Sequence, residues 1–165
     1  MVGCDREAIM TDIAAAYHEA GHCIVANRLG LRLRGASIED DGSGTTTTMI
    51  RHVDADDPYW AQVQIIVSMA GAAAEVVLLG RSRDDVPDAS DHANQRRHAA
   101  ALAPARQRDW ESRYWRAACA YVTQFAADIE ALADELLMER QITGFALTLT
   151  IERAENHERR NYDNA

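Results

Sequence analysis

Residues 16–26 read AYHEAGHCIVA, which sets His18, Glu19 and His22 in the HExxH spacing on a segment of helical character. In an α-helix, residues four apart lie roughly 40° apart around the axis and about 6 Å apart along it, so two imidazoles at that spacing can converge on one cation. Glu19 falls about 60° from His22 on the helical wheel, within reach of a metal-bound water without ligating the metal itself. This is half a zinc site with a general base beside it. The bland reading is a solvated His-Glu pair and a stray histidine.

A chain of 165 residues is expected to fold as one domain around a single core, with about two-thirds of its unfolded surface buried. The net charge of -9 and the scattered arginines argue against nucleic acid as a partner. All 17 basic residues are arginine, so a phosphate loop of the GxxxxGK[ST] kind, which needs its lysine, is excluded from these residues. Cys4, Cys23 and Cys119 are odd in number and widely spaced, which suits reduced thiols. The N-terminus shows no basic leader followed by an apolar stretch. Later apolar stretches are broken by Gly, Ser or charge, so no membrane segment is expected and the chain reads as cytoplasmic.

Periodicity orders the rest. After a lead through Met10, a helix is expected from about Thr11 to Arg28, stopped by Gly30. Leu31 to Glu39 alternates, DDGSG turns, and TTTTMI follows, so a β-hairpin is expected. The threonine run suits an edge strand, and composition alone reads it as a plain solvated edge. After the DADDP break, Tyr59 to Leu79 is a second helix ended by Gly80. Its small-residue stretch AGAAAE, Ala70 to Glu75, admits another helix closely and puts Glu75 at a helix crossing. Arg81 to Ser90 reads as a loop, with Ser90 capping a helix from about Asp91 to Ala103. Asp91 in that first turn suits the helix dipole whether or not it binds metal, and His92 and His98 read as surface histidines. Helices over Asp109–Phe125 and Asp128–Arg140, a break at QITG and a last helix over Phe145–Arg160 complete an α+β, mainly α-helical fold with a C-terminal helical bundle.

Three motifs together carry a resemblance: AYHEAGHCIVA; SMAGAAAEVVLLG, Ser68 to Gly80; and DASDHANQ, Asp88 to Gln95. In order and spacing they resemble the zinc helix, the AGxxAE helix and the third-ligand segment of the peptidase domain of the ATP-dependent, membrane-bound zinc proteases of the FtsH family (peptidase family M41). ALADELLMERQITG, Ala131 to Gly144, is similar to the family's helix and break before its last helix. The resemblance implies one zinc per chain held by His18, His22 and Asp91, with Glu19 as catalytic base and Glu75 as a supporting carboxylate. It also implies an edge strand, near Thr45, Thr46, Thr47 and Thr48, along which a peptide or unfolded protein lies. The family's ATPase module and membrane anchor have no counterpart in these residues, and the stretch between the Asp91 helix and the C-terminal helices is shorter and lacks the family's glycine-containing segment. A homo-oligomer and an ATPase supplied by a separate chain are therefore open readings.

The reaction expected is peptide hydrolysis by a zinc-activated water, with Glu19 taking its proton and returning it to the leaving amine. A metzincin is excluded, because glycine and histidine would be needed where Val25 and Arg28 stand. A gluzincin would take Glu75 as third ligand. Two other functions compete: a catalytically silent, zinc-stabilised binding or regulatory module, against which the intact Glu19 argues, and a hydrolase of small amides on the same scaffold.

Overall fold

The computed structural model describes residues 3–49, 57–86, 89–102 and 104–163. The chain runs α1 (Gly3–Arg28), β1 (Arg32–Ile38), β2 (Gly44–Met49), α2 (Pro58–Leu79), a short 3-10 turn (Arg83–Asp85), α3 (Ala89–Ala99), α4 (Pro104–Gln107), α5 (Trp110–Gln124), α6 (Ala126–Glu139), β3 (Gln141–Thr143) and α7 (Gly144–Asp163). The fold is α+β and mainly helical, with one small antiparallel sheet of order β2-β1-β3. Ile50, most of the DADDP break, Pro87, Asp88, Ala103 and the end of the tail lie outside the described residues.

α2 is the central element. Asp57 caps it through Tyr59 N–H, Pro58 occupies its first turn, and Gly80 closes it in the left-handed conformation at φ 68°. From Ile65 to Glu75 it is buried apart from the half-buried Ile66, because α1 crosses one side and α3 and α5 cover others. By length and apolarity α2 could cross a membrane, where the sequence reading expected no such run: its most apolar 18-residue window has mean hydropathy 1.7, and 61% of that window is buried inside this fold.

α1 lies across α2 and carries the HEAGH turn. A Cβ added to Gly21 would sit 2.6 Å from the Ala70 carbonyl oxygen and 2.8 Å from the Ala74 Cβ, so the two backbones meet where only glycine fits. At the end of α1, Arg28 pairs with the fully buried Asp128 of α6 and lies over the Phe125 ring, 4.6 Å from its centre. α5 packs on α2, α6 on α1, and α7 on α6 and the sheet, so the C-terminal helices close around the α1–α2 pair. Tyr114 is buried in that core, with Trp110, Tyr121 and Phe125 packed against it.

Several boundaries differ from the sequence reading. α1 starts at Gly3 instead of Thr11, since no proline or glycine interrupts Cys4 to Ala20. α3 starts at Ala89, which puts Ser90 inside the helix and not at its cap, and it ends at Ala99. QITG is a strand as well as a break: Gly35, Ala36 and Ser37 pair with Thr143, Ile142 and Gln141. With one buried residue, Ile142, a three-residue strand leaves no alternation to read.

The α1–α2 crossing predicts that Gly21→Val destabilises the protein by about 2 to 3 kcal/mol, because the clash is with backbone and cannot relax by a rotamer change. Urea unfolding checks it. An unchanged midpoint would contradict the close crossing.

Candidate metal centre

His18 and His22 project from one side of α1 toward α2 and α3. The site is cut into α2 at Gly71, where a Cβ would lie 2.5 Å from His18 Nε2 and 2.6 Å from His22 Nε2. Asp91 arrives from the first turn of α3, with Oδ2 3.1 Å from each of those two nitrogens. α3 is held in place one turn later, where the buried Gln95 donates to the Ser68 carbonyl at 3.0 Å. Among the described residues, one ligand atom each from His18, His22 and Asp91 lie within 4.8 Å of one another, a group that could hold a metal ion. His92 and His98, also on α3, are not part of it.

The outer ring nitrogens are committed elsewhere. His22 Nδ1–H donates to the Val67 carbonyl at 2.7 Å, and His18 Nδ1–H to Glu75 Oε1 at 2.6 Å. Those bonds fix the tautomer that leaves the Nε2 lone pair for a metal. In a neutral His22 ring, Nε2 then faces the Asp91 carboxylate acceptor to acceptor, a contact that a shared cation would relieve. The donor set, two imidazoles and a carboxylate, fits a divalent metal with an open position.

Electrostatics agree with a site built for positive charge. Burial works against a charged His18, yet hydrogen bonds to Asp91 and Glu75 overcome it and raise its pKa to about 10. Burial likewise works against the Asp91 carboxylate, and its bonds to His18 and His22 outweigh that and lower its pKa. Metal and proton compete for this place, so loading a cation displaces the proton.

The sequence-derived residues fall as follows. Glu75, the alternative third ligand, is buried on the far side of His18, bonded to Nδ1 by one oxygen and paired with Arg81 through the other. Glu19 is buried, lines the same cleft as the cluster, and accepts a hydrogen bond from the Thr46 hydroxyl at 2.7 Å. Thr45 and Thr47 are exposed, and Thr48 is half-buried along the cleft. β2 is an edge strand, paired with β1 alone among the described residues. The cleft measures about 970 Å³ and extends from the cluster past Gly44 and Thr46 to Met10 and Ala14 of α1.

Four contributors escaped the sequence reading. The Val67 carbonyl has no sequence signal, since any residue supplies one. Gly71 sat in a small-residue stretch assigned to helix approach, Gln95 entered only as the last residue of the DASDHANQ segment with no role of its own, and Arg81 was placed in a charged loop.

Neither family models nor curated proteins give a match to this chain.

If Asp91 ligates and Glu75 acts through His18, Asp91→Ala will weaken zinc binding more than Glu75→Ala, whose loss is expected to cost about 10 to 100-fold. Competitive zinc titration of both variants decides it. A Glu75→Ala protein that alone fails to hold metal would reverse the assignment.

Proposed function

We propose that this chain is a zinc-dependent metallopeptidase that hydrolyses peptide bonds of unfolded proteins or peptides, akin to the peptidase domain of the FtsH family. The observation that carries the reading is the convergence of His18, His22 and Asp91 in one cleft with a buried Glu19 and an edge strand. A purely structural metal site needs the ligands but not the base.

Zinc held by His18, His22 and Asp91 would supply Lewis acidity toward a peptide carbonyl and make water nucleophilic near neutral pH. Glu19 takes a proton from the attacking water as the new C–O bond forms, and gives it to the amide nitrogen as the C–N bond breaks, leaving a carboxylic acid and an amine. Glu75 and the Val67 carbonyl hold the two imidazoles with Nε2 facing inward. The outer edge of β2, unpaired among the described residues, offers backbone hydrogen bonds to an extended peptide with little demand on its sequence. A folded protein has no such strand to offer, because exposing one requires local or global unfolding at a cost of up to about 5 to 15 kcal/mol.

The test is chelator-sensitive cleavage combined with metal analysis, using one protein substrate in unfolded and folded forms. The expected result is one zinc per chain, cleavage of the unfolded form, resistance of the folded form, and no stimulation by ATP. Glu19→Gln should keep the metal and lose activity at least about a hundredfold. Metal loss in that variant, or undiminished cleavage, would contradict the role given to Glu19.

A further inference from the structure

β2 meets the Glu19 carboxylate at two points. The Thr46 hydroxyl lies 2.7 Å from Glu19 Oε2, 3.2 Å from the Glu19 carbonyl oxygen and 3.4 Å from the Cys23 sulfur. A hydroxyl has one proton to donate, and the short contact to the carboxylate is the strongest claim on it. The Cys23 thiol can then donate to the Thr46 oxygen, which fixes the direction of the hydroxyl. Two residues earlier on the same face of the strand, Gly44 leaves bare the place where a Cβ would lie 2.5 Å from Glu19 Cγ and 2.7 Å from Oε1. The intervening Thr45, and Thr47 beyond, point to the other face.

We infer that Thr46 is a positioning residue for Glu19, and that Gly44 is the bare wall against which the carboxylate seats. The edge strand offered to substrate then also sets the reach of the base. This rests on the peptidase reading above. A general base works only within hydrogen-bond reach of its proton, and a glutamate left to itself spreads over many rotamers. Among the described residues Thr46 supplies the hydrogen bond to this carboxylate, at Oε2, so Oε1 keeps its lone pairs for proton transfer. The threonine run, which the family resemblance alone marks as a place for substrate to lie, is thereby divided: Thr46 turns inward to the base, while Thr45 and Thr47 stay exposed.

The experiment compares wild type, Thr46→Val, Thr46→Ser and Gly44→Ala. Each zinc-loaded protein is assayed on a short fluorogenic peptide, and infrared difference spectra of the Glu19 carboxylate are recorded, with the band assigned by subtracting Glu19→Gln. Valine keeps the shape and strand preference of threonine without the hydroxyl, whereas serine keeps the hydroxyl and is the poorer strand former. The expected result is a drop in kcat of about 10 to 100-fold for Thr46→Val with KM within about twofold, and recovery of most of kcat in Thr46→Ser. Gly44→Ala should lower kcat in the same way, because the new methyl displaces the glutamate. The Glu19 carboxylate band should shift in Thr46→Val and not in Thr46→Ser.

A role in strand packing alone predicts the reverse ranking, with valine equal to serine or better, and that result would overturn the inference. So would an unshifted carboxylate band in Thr46→Val. If no form cleaves any peptide while the band shifts in Thr46→Val alone, the positioning contact stands and the peptidase reading fails.

Discussion

Where α1 crosses α2, a Cβ on Gly21 would strike the Ala70 carbonyl and a Cβ on Gly71 would strike the His18 and His22 imidazoles at Nε2. The two glycines work from opposite helices. Gly21 lets the backbones close up, and Gly71 hollows the resulting interface to hold His18 and His22 Nε2. Everything at the site follows from that approach. It brings the Val67 carbonyl to His22 and Glu75 to His18, and it gives α3 a surface on which Gln95 can seat Asp91.

The polar groups in this interface satisfy one another in sequence. Arg81 neutralises one oxygen of Glu75, the other oxygen accepts from His18 Nδ1, and the inner nitrogens share Asp91 Oδ2. Removing Glu75 strips both His18 Nδ1 and Arg81 of their shared carboxylate, which in a poorly solvated crossing is costly. The same arrangement tunes the ligands, because a carboxylate on the outer nitrogen makes an imidazole a better donor at the inner one. Stability and the candidate metal site thus draw on one set of contacts.

Much of this was legible in local pattern. The HEAGH spacing and the AGAAAE stretch are written in the helical period, so α1, α2 and the buried setting of Glu75 could be read from residues alone. Asp91 could not be assigned that way, since an aspartate in the first turn of a helix is favoured with or without a metal. Its place beside the histidines came from family resemblance, and the geometry around it depends on Gln95, whose burial is a tertiary fact. β3 was illegible for a different reason: its pairing with β1 joins segments about a hundred residues apart, and Ile142 alone carries the apolar signal. Thr46 shows the limit most plainly, because four identical residues in a row hide the alternation that sends one inward to Glu19 and its neighbours outward.

The central claim is that these three side chains form one metal site served from behind by Glu75. Anomalous scattering at the zinc edge from crystals grown with one equivalent of zinc tests it directly. The account predicts a single peak bonded to His18 Nε2, His22 Nε2 and a carboxylate oxygen of Asp91, with metal–ligand distances of about 2.0 to 2.2 Å and Glu75 still on His18 Nδ1. A peak bonded to Glu75 in place of Asp91, or none between the two histidines, would contradict it.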